Sequence, residues 1–548
     1  MPHPFGYRAA RHFGRALIGS WLALMAAAGC NLAPARFGGS SSVELSADAA
    51  LLPARVRRLT NLELERSVAA LVGKSEELAG QLPPDVRDDG YTPNANQDVP
   101  ATWATRYSTL AREIAQRAAH EGLGELAACS KNANPGDACE TELVQRLGRQ
   151  AYRRPLSAQE QAALREVFAE GARDGAGFEG GAALLLRALF ESPNFLYVTE
   201  LGSGGQPGEV VTLLPYEIAS ALSYTLRGAP PDDELLRAAE RGELSDPGRR
   251  ALQARRLLSE SDTRHHFRRF VLEWLEVDGL ELTAKSARLY PDYERLKPYM
   301  LEETSAFVDE VMVHAGGSLS ALLGAGFASV DPTMARFYGL KTYGPRAGLQ
   351  GSGRLGILQQ ASFLAAHAHE DVTSPVKRGD FVMRKLLCQQ VKRPSEIGLE
   401  VVMPPPSDAK TTRERFAAHS EAPGCRSCHQ TLDALGFTFE SFDAMGGRRS
   451  LENGKAISSA VTVTLEGSPL ELKDSLELTQ RLARDPRTTE CFARHAFRYF
   501  SAQNDPKVES SFLELRRQLP AERSDNLLDS LVTYVESDLF VKRRVRAP

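Results

Sequence analysis

Cys425-Arg426-Ser427-Cys428-His429 puts two thiols three residues apart, with a histidine directly after the second. That is the C-x-x-C-H pattern of covalent c-type haem attachment. The chemistry needs the spacing: the thiols add to the two haem vinyl groups, and the histidine reaches the iron as axial ligand. Two rivals compete for the same residues. A thioredoxin-like dithiol wants a βαβ setting, whereas this motif follows the turn-rich Ala422-Pro423-Gly424. A zinc site wants two more closely spaced Cys or His ligands, and the sequence has no second C-x-x-C. The reading is therefore one covalent haem c held by Cys425, Cys428 and His429.

Such a haem belongs outside the bacterial cytoplasm, so an export signal is expected, and the N-terminus reads as one. Arg8, Arg11 and Arg15 precede an apolar run from Ala16 to Ala28 that is too short to span a bilayer. It ends in Ala27-Ala28-Gly29-Cys30, like a bacterial lipoprotein signal with Cys30 as the lipid-bearing first residue. Asn31 after the cysteine favours the outer membrane, on the periplasmic side or the cell surface. Removing 29 residues from 548 leaves too long a chain for one core, so several domains are expected. The formal net charge of −4 becomes more negative without those three arginines, and no basic stripe remains, which argues against nucleic acid as a partner. No other apolar run is long enough to cross a membrane, leaving the lipid as the expected anchor.

Four cysteines remain: Cys129, Cys139, Cys388 and Cys491. An oxidising compartment makes disulfides the default, and four cysteines allow three pairings. Cys129–Cys139 is favoured because it closes a short polar loop around Asn134-Pro135-Gly136. Cys388–Cys491 would then staple the segments on either side of the haem motif.

The periodicity is helical nearly throughout. Thr60 and Glu63 form a capping box, Leu64, Val68, Leu71 and Val72 share one helical face, and Gly73 is placed to stop the helix. A second helix is expected at about 103–120. Ser157 and Glu160 cap another, and Ser192-Pro193 halts an apolar helix over 182–190. Helices are expected over 355–367 and 378–388, either side of the Ser374-Pro375 turn. Val461, Val463 and Leu465 alternate with threonines as a short strand, before helices at about 472–484, 487–500, 507–518 and 524–536. The fold class is mainly α, with several helical domains, a haem domain near the C-terminus and a short β element after it.

Several phrases, in order, carry a family resemblance. They are Arg57-Arg58-Leu59-Thr60, Tyr152-Arg153-Arg154-Pro155-Leu156 and Ser192-Pro193-Asn194-Phe195-Leu196-Tyr197. Leu222-Ser223-Tyr224, Pro231-Asp232-Asp233-Glu234-Leu235 and Trp274-Leu275 follow, then Ser374-Pro375-Val376-Lys377-Arg378-Gly379. His419, the C-x-x-C-H, Gly436-Phe437 and Phe442-Asp443-Ala444 continue the series, and Ser537-Asp538 with Phe540 ends it. Over residues 55–545 the chain resembles the planctomycete-type cytochrome c proteins, secreted chains of successive domains of unknown function with a cytochrome c-like domain near the C-terminus. It departs at Tyr499-Phe500-Ser501-Ala502-Gln503, where the family often has Tyr-x-Leu-Gly-Arg. The expected layout is a signal peptide at 1–29 and a tether at 30–50. Helical domains follow at 51–120, 121–205 (with the Cys129/Cys139 loop) and 206–345. A cytochrome c-like domain at 346–450 and a mainly helical domain at 451–548 complete it.

His429 is the proximal ligand on this reading. The resemblance makes His367 the candidate distal ligand, with a surface or turn-capping role as its alternative. Met403 is a lesser candidate, Met445 reads as packing, and His419 as a helix-end histidine. Arg413, Arg415 and Arg426 either pair with haem propionates or form a solvated face. The Arg153-Arg154-Pro155 and Pro231-Asp232-Asp233-Glu234 phrases read as helix-boundary devices. With one haem and no visible acid–base constellation, the expected function is envelope electron transfer to an unknown redox partner. The alternatives are a haem-dependent oxidase or peroxidase acting on an extracellular polymer such as polysaccharide, and a binding or scaffold lipoprotein with structural haem.

Overall fold

The first helix forms for the reasons its sequence states. Thr60 Oγ1 accepts from the Glu63 backbone at 3.2 Å, while the Glu63 carboxylate accepts the Thr60 N–H at 2.8 Å. Leu64, Val68, Leu71 and Val72 are buried along one face of Asn61–Val72, and the chain leaves through Gly73 at φ 76°, a left-handed turn that glycine makes without a Cβ clash. The computed structural model describes residues 49–131, 136–390, 407, 409–421, 426–465 and 468–547, with backbone alone at 418–421 and 426–428. The expected signal peptide, most of the expected tether and Cys30 lie outside these residues.

The fold is mainly helical. Among the described residues the strands form five two-stranded antiparallel sheets. Two of these sheets join distant segments. Arg55–Arg58 pairs with Tyr197–Glu200, and Lys542–Arg544 near the C-terminus pairs with Val210–Thr212.

Burial follows helical faces that no single segment can cover alone. Residues Leu59 to Val198, joined by Tyr224, share one core, in which Trp103, Tyr107, Leu110 and Ile114 of Ala101–Leu126 are buried. The segments 51–120 and 121–205 thus pack around a common interior. A second core runs from Leu52 to Val541 and takes side chains from the third segment, the haem-motif segment and the C-terminal helices. A third, smaller core sets Tyr293, Met300, Met334 and Tyr338 against Ala361 and Met445.

Local departures from the sequence expectation have local causes. The second helix runs over Ala101–Leu126, past Gly122 into an apolar last turn at Leu126. The expected helix over 355–367 divides into Ile357–Gln359 and Ala361–Ala366, because Gln360 is extended at ψ 149°. Its Oε1 accepts from Thr304 Oγ1 at 2.7 Å, and Gln359 Nε2 donates to Thr479 Oγ1 at 2.9 Å. These buried amides favour tertiary partners over helix continuity. The helix expected over 378–388 is an α-turn, Pro375–Phe381, continued by a π-turn, Val382–Leu386. The expected strand is one arm of a hairpin, Val461–Leu465 against Ser468–Leu472.

Both favoured disulfides are present. Cys129–Cys139 bridges a separation of 10 residues and Cys388–Cys491 one of 103. The latter ties the end of the π-turn to the helix Pro486–Ser501.

Candidate functional site

The motif enters the helix Arg426–Phe437, preceded by Thr412–Glu421. Cys425 lies outside the described residues, as does Met403; the side chains of Cys428, Arg426 and His419 are likewise not described. His429 is described. Its Nδ1 donates to Asp433 Oδ1 at 3.0 Å, one helical turn away, and Asp433 is only 2% exposed. With Nδ1 engaged, a metal bond from this ring would have to be made through Nε2, and the carboxylate fixes both tautomer and ring orientation.

The motif helix is held by backbone contact. A Cβ on Gly436 would lie 1.9 Å from the Pro375 carbonyl oxygen, and one on Gly379 would lie 1.9 Å from that of Leu432. Pro375–Phe381 therefore crosses Arg426–Phe437 where only glycine fits. Ser374 caps the crossing helix, its Oγ accepting from the Lys377 backbone at 3.3 Å.

Arg378 staples the loop that follows. It is fully buried and donates to the carbonyls of Leu364, Phe439, Phe442 and Asp443 at 3.0–3.5 Å. Burial pulls its guanidinium down to about 10, against the opposing pull of Glu440 4.0 Å away. Asp443 Oδ1 in turn accepts from the Met445 and Gly447 backbones, at 2.9 and 2.7 Å. The Ser374–Gly379, Gly436-Phe437 and Phe442-Asp443-Ala444 phrases are thus scaffold, each with a stated load.

The same holds for phrases further up the chain. Arg153 donates to the Asn194, Phe195 and Tyr197 carbonyls at 2.5–3.1 Å, joining two phrases that lie far apart in sequence. Asp232 caps Asp233–Glu240, accepting from the Leu235 backbone at 2.8 Å, and pairs with Arg256 at 2.7 Å.

His367 is placed differently from His429. It is buried between the rings of Phe363 and Phe381, with centroids 4.5 and 5.2 Å away, and its Nε2 donates to the Leu275 carbonyl at 2.9 Å. Those contacts are to packing and to the segment that carries Leu275; no contact among the described residues brings His367 to His429. Met445 packs in the third core, as a plain apolar residue would. Arg413 donates to the Ser458 and Ala460 carbonyls at 3.0 and 3.1 Å and covers the Phe437 ring, which assigns it to local backbone.

A cationic cluster flanks the domain. Lys285 Nζ donates to the His369 carbonyl at 2.8 Å and Lys377 Nζ to the Ala368 carbonyl at 3.2 Å, so two ammonium groups converge on one turn. Burial, with Lys377 and Arg378 as like charges, brings Lys285 down to about 7. Buried nitrogens without a partner occur here too, at His369 Nε2 and Arg378 Nε. This donor set suits an anionic group such as a carboxylate. Separately from this cluster, His429 held through Nδ1 by the Asp433 carboxylate fits the role of an axial ligand to a haem iron.

Sequence reasoning missed Asp433. The signal was available: an aspartate four residues after the motif histidine shares its helical face. It also missed His495, whose Nε2 lies 4.0 Å from Cys388 Sγ, making one cluster of His495 with the Cys388–Cys491 disulfide.

Four family models match the chain in succession. Residues 57–120 match PSD3, a protein of unknown function (DUF1587), and residues 139–200 match PSD5, a protein of unknown function (DUF1595). Residues 213–340 match PSD4, a protein of unknown function (DUF1592). Residues 354–452 match PSCyt3, a protein of unknown function (DUF1588), the cytochrome c-like member of the set. That last match contains the C-x-x-C-H, Asp433, Arg378 and both crossing glycines. No curated protein and no solved structure matches the chain. No helix among the described residues is long and apolar enough to cross a membrane.

Proposed function

The chain belongs to the planctomycete-type multi-domain cytochrome c family, and from that premise we propose that it is an exported, lipid-anchored c-type haem protein that transfers electrons in the bacterial cell envelope. The observation that carries the proposal is the C-x-x-C-H within the PSCyt3 match, with its histidine held by a buried carboxylate. Cys425 and Cys428 would hold the haem by thioethers and His429 would ligate its iron through Nε2. The bound haem supplies one-electron chemistry. The protein's share is rigidity: the glycine crossing and Arg378 fix the helix that carries His429, and a fixed ligand lowers reorganisation when the iron changes charge. The lipid on Cys30 would anchor the chain at the outer membrane, within reach of a redox partner.

Protein matured with a c-type system should give a haem-stained band in a denaturing gel and a c-type pyridine haemochrome. Cys425→Ser with Cys428→Ser should abolish both, and mass spectrometry should find diacylglyceryl on Cys30. Absorption spectra in the two redox states separate the functional readings. A six-coordinate, ligand-inert iron supports electron transfer, whereas a five-coordinate iron that reacts with peroxide makes the protein an oxidase or peroxidase. A colourless protein after proper maturation removes the haem altogether.

A further inference from the structure

We propose that Asp433 is a positioning residue for the haem iron: its carboxylate, on the far nitrogen of His429, gives the axial imidazole anionic character and biases the bound iron toward its ferric state. The inference rests on the haem reading above and goes beyond it, because it specifies the redox character of the site.

The geometry is direct. Nδ1 and Oδ1 are 3.0 Å apart, His429 and Asp433 are one turn apart on one helix, and the Asp433 side chain is 3% exposed. Water therefore screens this carboxylate less than it would an exposed one. A backbone carbonyl in its place would present only a dipole. A carboxylate partner presents a full negative charge, withdraws the Nδ1 proton toward itself and makes Nε2 a stronger donor. A stronger, more negative donor favours the more highly charged iron, so the ferric form gains relative to the ferrous form and the midpoint potential falls.

The carboxylate is also held in place. Asp433 belongs to a helix locked at Leu432 and Gly436 by contact with Gly379 and Pro375, so the backbone beneath it cannot swing away. An iron poised in this way rests oxidised, and the partner that it serves is one able to deliver an electron at low potential.

Spectroelectrochemical titration of the haem-matured full chain tests this in wild type, Asp433→Asn and Asp433→Glu. At a fixed potential Asp433→Asn should raise the ferrous-to-ferric ratio at least tenfold, about 59 mV for one electron. Asp433→Glu, which keeps the charge, should return most of that shift. Haem staining is scored separately: an unstained wild type defeats the haem reading, while fully loaded variants with unchanged midpoints defeat only the role of Asp433. Should Asp433→Asn fail to mature, the wild type still decides. The electron paramagnetic resonance spectrum of its ferric form should show the g-value spread of an axial imidazole with anionic character; the spread of a neutral imidazole overturns the proposal.

Discussion

At the scale of single residues, the side chains that the family phrases preserve in this chain do structural work around one chemical group. Arg378 is the clearest case. Its guanidinium has no water to serve it and instead satisfies three carbonyls in the turn that closes the haem-motif segment and a fourth, that of Leu364, in the helix Ala361–Ala366. Replacing it with a methionine of similar reach removes these charge-assisted bonds and leaves buried oxygens without donors. Each bond to a charged group contributes about 1.5–3 kcal/mol; shared among bent, partly competing bonds, the net loss should be about 3–5 kcal/mol. Denaturant titration of Arg378→Met against wild type measures it. A loss under 1 kcal/mol would show that the turn is held by other contacts. Lys285 adds a gentler prediction. Burial lowers its ammonium to about 7, below its usual value, so its neutral form is favoured by folding. The unfolded chain binds more protons between pH 7 and the usual lysine range, so Lys285 lowers stability below its folded value and that penalty lifts as pH rises toward 10. Lys285→Met should flatten this dependence in unfolding curves taken from pH 6 to 10.

At the scale of elements, the crossing of Pro375–Phe381 over Arg426–Phe437 positions the site. Two glycines make it possible, one on each helix, and each would drive a methyl group into the carbonyl of the other helix. Gly436→Ala and Gly379→Ala should each cost about 1–3 kcal/mol, the range for forcing extra carbon into a packed contact. The double variant should cost less than the sum, since once one methyl has parted the helices the second meets less resistance. Thermal unfolding of the three variants checks this, and strictly additive losses would mean that the two contacts are independent. Elements are also where the sequence was most and least readable. The capping boxes at Thr60–Glu63 and Ser157–Glu160, and the stop at Gly73, were legible because their partners lie within a few residues. The break at Gln360 was not, because the partners of Gln360 and Gln359, Thr304 and Thr479, lie more than 50 residues away. The site divides in the same way. The motif histidine and the Cys129–Cys139 pair were visible in spacing, with Cys388–Cys491 left as the remaining pair, whereas the burial of His367 against Leu275 depends on a segment 92 residues away that no local pattern reports.

At the scale of the whole molecule, one disulfide and one buried carboxylate bind segments far apart in sequence, while the other disulfide closes a local loop. Closing a longer loop removes more freedom from the unfolded chain, so deleting Cys388–Cys491 as an alanine pair should cost about 2 kcal/mol more than deleting Cys129–Cys139. Glu200 makes the other long-range tie. It ends the strand that pairs with Arg55–Arg58, and its carboxylate accepts from Arg55 at 3.1 Å and from Arg543, in the C-terminal strand, at 2.7 Å. Burial alone would push this carboxyl up, but Arg543 and Arg55 outweigh it and hold the group at about 2. The folded value lies below that of the unfolded chain, so the stabilisation is fully present above pH 4.5 and is lost as the pH falls toward 2. Glu200→Gln removes the charge that both arginines share, leaving Arg543, 1% exposed, without its carboxylate. Breaking a buried pair in this way costs about 3–5 kcal/mol. The variant should be destabilised by that amount at pH 7, and the gap to wild type should close as both are titrated from pH 5 to pH 2. Circular dichroism during urea unfolding at several pH values measures the gap. A constant difference across that range would mean that Glu200 acts by packing alone and that the N- and C-terminal strands are held together by their backbone bonds.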